Sequence, residues 1–193
     1  MEIETDITAN DRAKLPLEVR HRAIIRYVVM RALVGLGVLL TFAALSFGRS
    51  PAAEPAPGFR VKLLDSAEHV DSRELVGKKI LVLRFQASYC KPCARESAAL
   101  VKLDQRYRNR DVVVLAIHVQ DTAADVRKFV RAQRATYRVA LDPQLTIGNR
   151  FGFKGTPFTV VIDRNGDIVA RLKGVSAVTR LPRIVDGLLG SGS

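Results

Sequence analysis

The chain has 193 residues, 48% hydrophobic and 26% charged, with a formal net charge of +12. That balance excludes a disordered polyelectrolyte, and the length bounds the chain to one domain plus additions. The charge is uneven: residues 1–58 carry seven Lys or Arg against six Asp or Glu, and residues 59–193 carry 24 against 13. These cations are dispersed and aromatics are few, so the surface reads as a solvated face drawn to anionic lipid or an acidic partner, with no nucleic acid.

Met1 to Asp11 is acidic and polar, with little to bury, and predicts a disordered tail. Arg12, Lys14, Arg20, Arg22, Arg26 and Arg31 then face only Glu18. Ala32 to Phe47 runs 16 residues without a charge, and counting back to Val28 gives 20. A spanning helix needs about 20 residues. Arg31 lies close to the cytoplasmic end, where it can snorkel. Only Arg49 follows the run closely. The bias therefore predicts a cytoplasmic basic tail at 1–27 and a single-pass transmembrane anchor at 28–48, with the remainder outside the cytoplasm. A cleaved signal peptide is the main alternative, since Ala44-Leu45-Ser46 offers a small-residue site, but the basic region before it is long. A buried core helix is the other, although the run is apolar on all sides. Residues 49–58, rich in Pro and Ala, predict a semi-extended linker, and residues 59–193 the globular domain.

Within that domain, Phe59 to Leu64 predicts a first strand and Asp65-Ser66 a turn. Asp71 to Leu75 predicts a helical turn that Gly77 closes. Lys79 to Phe85 is an apolar, β-branched run and predicts a buried strand. Ala94, Ala98, Val101 and Leu103 then recur at roughly helical spacing as far as Tyr107, with fraying over 106–110. Asp111 to Val119 predicts a second buried strand. Asp121 or Thr122 caps a helix to about Arg134, with Val126, Phe129 and Val130 on one face. Tyr137 to Leu141 predicts a short strand, and Asp142-Pro143 the opening of a helix through about Asn149. Phe158 to Ile162 and Ile168 to Leu172 predict a hairpin turned by Asn165-Gly166. A helix from about Val178 to Leu189 closes the chain. The fold class is α/β, a central mixed sheet with helices on both faces.

Cys90 and Cys93 are the only cysteines. They form a C-x-x-C pair where the strand ending at Phe85 turns into a helix. Unpaired N–H groups and the helix dipole stabilise a thiolate there. Cys90 lies just ahead of the helix, open to partners, and Cys93 in its first turn, facing inward. Pro92 lacks an N–H and has a helix-compatible φ, so it stiffens this turn. Lys91 adds a charge that favours the thiolate. Three other readings compete. A static disulfide over so short a loop removes little unfolded-state entropy. Half a zinc site lacks its other half, with His21, His69 and His118 scattered, so no metal is expected. The third makes both cysteines ordinary small core residues.

The stretch Phe85 to Glu96, F-Q-A-S-Y-C-K-P-C-A-R-E, resembles the active-site signature of thioredoxin-like proteins, in particular the TlpA-like membrane-anchored thiol–disulfide oxidoreductases. The resemblance extends from Phe59 to Leu189 and includes Lys154-Gly155-Thr156-Pro157-Phe158. It implies a thioredoxin-like fold, with Pro157 as the cis proline facing the cysteine pair and Thr156 pairing with the client backbone. It also implies no cofactor beyond the redox-active pair. Gln86 and Tyr89 stand where the family has tryptophans, and Arg84 where thioredoxin has a buried acid. Glu96 matches an active-site glutamate of some members. A buried Arg84 needs a partner, and Glu96 is the nearest acid in sequence. A peroxidatic reading, by resemblance to peroxiredoxins, implies a threonine three residues before the reactive cysteine, and Ala87 stands there. His118 reads as a satisfied buried residue rather than a catalytic one.

Two function classes follow. In the first, an inner-membrane enzyme reduces client disulfides in the periplasm. The resemblance gives apocytochrome c haem-site cysteines as clients and a membrane-embedded thiol reductant as donor. In the second, a thioredoxin-like module binds a client or delivers a metal with weak redox activity.

Overall fold

Seven consecutive buried residues, Ile80–Gln86, form the strand around which the domain is built. The computed structural model describes residues 53–175 and 177–190. In chain order these give β1 (Arg60–Lys62), β2 (His69–Asp71), a 3-10 turn (Ser72–Leu75), β3 (Ile80–Gln86), α1 (Lys91–Tyr107), β4 (Val112–Val119) and α2 (Ala123–Gln133). There follow β5 (Arg138–Asp142), α3 (Thr146–Arg150), β6 (Phe158–Ile162), β7 (Ile168–Lys173) and α4 (Ala177–Gly190). The main sheet has the order β5-β4-β3-β6-β7. β3 runs parallel to β4, and β4 to β5, while β6 and β7 are antiparallel to their neighbours.

Side chains alternate across a strand, so β3 supplies both faces of the sheet. Leu81, Leu83 and Phe85 join Phe59, Ile147, Phe151 and Phe158 in one core. Ile80 and Val82 join Leu100, Leu103, Tyr107, Val126, Leu181 and Val185 in the other. The first face is covered by the β1–β2 ribbon and α3, the second by α1, α2 and α4. Arg84 and Gln86 continue the second series and therefore lie under α1.

The structure departs from the sequence expectations at three places. The first strand is only Arg60–Lys62, paired antiparallel with β2, which no local pattern announced because only Val61 and Val70 of the ribbon are buried. The helix expected from Asp142-Pro143 begins at Thr146 instead. Asp142 stays in the sheet opposite Val119, and its carboxylate caps the helix from there, accepting the N–H groups of Ile147 and Gly148 at 2.9 and 2.8 Å. Residues 53–58, the last part of the expected linker, lie on the β6–β7 hairpin. The Ala56 N–H donates to Gly166 O, the Ile168 N–H donates to Glu54 O, and Glu54 pairs with Arg171.

The expected tail at 1–27 and anchor at 28–48 lie outside the described residues. Among the described residues no helix is long and apolar enough to cross a membrane.

Candidate active site

β3 ends at Gln86, and Ala87, Ser88 and Tyr89 carry the chain into α1. Cys90 is the N-cap of α1, Pro92 stands in its first turn, and the Cys90 sulfur accepts the Cys93 N–H at 3.2 Å. The two cysteines are joined as a disulfide with their Cα atoms 5.2 Å apart. Cys90 is 6% exposed and Cys93 1%, so both are buried in the disulfide, and Cys90, expected to lie open to partners, is only the less enclosed of the two. A Cys90 thiolate would meet the Cys93 N–H and the positive end of a 17-residue helix, both of which stabilise negative charge. Lys91 is exposed beside it, and so is Tyr89, at 64%.

The Thr156-Pro157 bond is cis. Pro157 directly precedes β6, and Phe158 pairs with Phe85 of β3, so this loop sits at the sheet end from which the cysteine turn departs. Pro157 O accepts the Gly174 N–H at 3.0 Å. The N–H and C=O of Thr156 take part in no main-chain hydrogen bond among the described residues.

Under α1, Arg84 is 1% exposed. Its guanidinium pairs with the Glu96 carboxylate one turn beyond Cys93, and Nη1 donates to Thr159 Oγ1 at 3.0 Å. A cation thus occupies this buried position beneath α1. It ties the active-site helix to the strand that follows Pro157. Arg84 Nε and Glu96 Oε1 are buried without hydrogen-bond partners, which leaves one carboxylate oxygen unengaged on the helix that carries Cys93.

A further set of residues supports the turn and was not assembled from the sequence. The Asp121 carboxylate accepts the Ser88 N–H at 2.7 Å and the Ser88 hydroxyl at 2.6 Å. Fully buried His118 places Nδ1 2.8 Å from Asp121 and Nε2 2.8 Å from the Gln86 amide nitrogen. Since that amide nitrogen can only donate, Nε2 accepts and Nδ1–H donates to Asp121. Tyr137 and Ser97 share a hydrogen bond of 3.0 Å beside this group. Gln86 and His118 are register partners on adjacent strands, and Thr122 takes the N-cap of α2, which frees Asp121 for this role.

Burial pushes the His118 pKa below the ordinary 6.5, outweighing the Asp121 carboxylate, which pulls it up. The unfolded chain therefore binds a proton that the folded chain refuses. Stability should be flat above about pH 6.5 and decline as the pH falls below it. His118→Gln should flatten the slope between pH 6.5 and about 5 in urea titrations, above the range of ordinary carboxylates. An unchanged slope would contradict this.

Among the described residues no group of three His, Cys, Asp or Glu side chains is placed to hold a metal ion.

The comparisons with known proteins agree with this geometry. Residues 52–171 match the AhpC/TSA family. The chain is 31% identical over 128 residues to the thiol-disulfide oxidoreductase ResA of Halalkalibacterium halodurans, covering 66% of this chain and 70% of that protein. To ResA of Geobacillus thermodenitrificans it is 32% identical over 121 residues, 62% of this chain and 67% of the relative. A solved structure described as a thiol:disulfide interchange protein, DsbE, of Chlorobium tepidum superposes with a TM-score of 0.65 at 25% identity, covering 71% of this chain and 96% of that one. The strand-turn-helix carrying Cys90 and Cys93, the cis Pro157 beside it and these relatives together establish that the chain belongs to the AhpC/TSA family, on its thioredoxin-like, ResA-related side.

Proposed function

We propose that this thiol–disulfide oxidoreductase works outside the cytoplasm, held at the inner membrane by residues 28–48, and reduces disulfides of exported clients. The observation that carries the chemistry is the Cys90–Cys93 disulfide at the N-terminus of α1, with Cys90 the less enclosed of two buried cysteines. The proposed cycle starts with the reduced pair. The Cys90 thiolate attacks one sulfur of a client disulfide. An S–S bond forms to Cys90, the client bond breaks, and the client's first thiolate leaves and takes up a proton. Cys93 then loses its proton and attacks Cys90 Sγ. The second client thiolate leaves, and two electrons have passed from the pair to the client. A dithiol donor restores the pair with two electrons and two protons. A membrane-embedded thiol reductant is the donor we propose, and the haem-site cysteines of apocytochrome c are the clients.

Thr156 contributes its unengaged main-chain groups, which can pair with an extended client as an added strand does. Recognition through backbone suits clients of varied sequence. The free Glu96 oxygen is the proposed acceptor of the Cys93 proton, with Arg84 keeping the carboxylate in place. Glu96→Gln keeps an acceptor for Arg84, so the fold should survive while the apparent pKa of the cysteines shifts. Identical thiol titration curves for the two proteins would contradict this assignment.

The topology has its own test. A reporter fused after Ser193 should work only outside the cytoplasm, and the protein should stay with membranes through a carbonate wash. Release as a shortened soluble chain would support a cleaved signal instead.

A further inference from the structure

Some cations of this domain are matched: Arg106 and Arg110 with Asp186, Arg108 with Asp104, Arg127 with Asp65, Arg171 with Glu54, and Lys79 with Asp111. Others, such as Arg60, Lys102 and Arg150, make no ion pair among the described residues. What distinguishes the cysteine end of the sheet is how its unmatched cations gather around the reactive turn. Lys91 follows Cys90 directly, Arg95 stands one turn along α1, and both are exposed. Across the turn, exposed Lys154 and Lys173 line one concavity with Thr156 and Pro157, because Lys173 ends β7 opposite Phe158. None of these four makes an ion pair among the described residues.

The acids that could answer them are already engaged. Glu96 is held by Arg84, Asp121 is buried against Ser88 and His118, and Asp125 pairs with Lys128 at 3.7 Å. The face on which a client must lie is therefore a field of one sign, with two cations beside the attacking sulfur and two beside the strand-pairing loop.

We infer that this face selects clients whose disulfide is flanked by acidic residues. The inference rests on the reductase reading above and names the class of substrate that this same site prefers. An extended client paired with Thr156 advances about 3.3 Å per residue. Aspartate or glutamate two to four residues from the client cysteine then stands about 7–13 Å away, within reach of the long side chains of Lys154 and Lys173. Acids on the other side of the cystine meet Lys91 and Arg95. Each exposed pair contributes little alone, but several act together, and the field also speeds encounter.

The test uses the full chain, reduced beforehand, and three synthetic peptides of one design. Each has a single intramolecular disulfide, flanked by aspartates, serines or lysines. Second-order rate constants are measured at low ionic strength and at physiological salt. The acidic peptide should react about fivefold faster than the neutral one at low salt, the basic one should be slowest, and salt should shrink the spread. In the double variant Lys154→Glu/Lys173→Glu the acidic-to-basic rate ratio should fall to near one or invert. Equal rates for the three peptides, or a wild-type ratio in the double variant, would overturn the inference and leave the reductase reading standing. No reaction with any peptide would overturn both. Vesicles of anionic lipid are the parallel probe. Neutral vesicles report the anchor alone; if the double variant loses the preference for anionic over neutral vesicles while the peptide ratio stays at the wild-type value, the cations serve a membrane surface and the inference is wrong.

Discussion

The Cys93→Ser protein is expected to accumulate mixed disulfides with its clients through Cys90, and the Cys90→Ser protein to accumulate almost none. The asymmetry follows from where α1 begins. Cys90 is its N-cap, its sulfur accepts the Cys93 N–H, and it has more exposure than its partner. Those conditions favour the thiolate at Cys90, which is the nucleophile. Cys93 is enclosed and 1% exposed, so it reaches Cys90 far more readily than it reaches a client. Removing Cys93 stops the reaction at the mixed disulfide; removing Cys90 stops it before any bond forms. Turnover should fall to background in both variants, and only trapping separates them. Mass spectrometry of the trapped species names the client and the linking cysteine, with apocytochrome c as the first candidate. Equal trapping by both variants, or none by either, contradicts the assignment of roles.

The largest loss of stability is expected from Asp121→Ala. Its carboxylate accepts three hydrogen bonds, two from Ser88 and one from His118, in a site where His118 is wholly buried. Truncation strands the Ser88 N–H and hydroxyl and the His118 Nδ1–H together. Each stranded buried group costs about 1–3 kcal/mol, and some regain water because Ser88 is half-buried. A loss of about 3 kcal/mol, or roughly 10 °C in Tm, is expected. Ser88→Ala removes one hydroxyl and leaves His118 paired, so it should cost only about 1 kcal/mol. Urea unfolding of the two variants checks both values. A loss within about 0.5 kcal/mol of wild type for Asp121→Ala would show that this carboxylate does not support the turn.

The cysteine turn was legible because its signals are local. The run Lys79 to Phe85, the C-x-x-C spacing and Pro92 fall within 15 residues, and the structure puts each where the pattern does. The Arg84–Glu96 pair was legible for a different reason. A cation in a buried strand needs a partner, and one acid stood near it. The His118 group was harder. Gln86 fell just past the strand expected over Lys79 to Phe85 and His118 read as a satisfied buried residue with no named partner, and only the parallel register of β3 on β4 brings them together. Asp121 and Thr122 offered equivalent capping oxygens, and sequence cannot show that Thr122 takes the cap. The misplaced start of α3 has the same origin: Asp142 is held by pairing with β4, a contact between residues far apart in the chain. The weak β1–β2 ribbon, with one buried residue in each strand, carries almost no local signal.

The central claim is that Cys90 and Cys93 are a working reductant rather than a static bond. Catalysed reduction of insulin by the full chain, with a dithiol as donor, tests it most directly. Turnover well above the uncatalysed rate is expected from the wild type, falling to background in Cys90→Ser and Cys93→Ser alike. A wild-type rate no higher than that of Cys90→Ser would contradict the claim and favour a module that binds clients without reducing them.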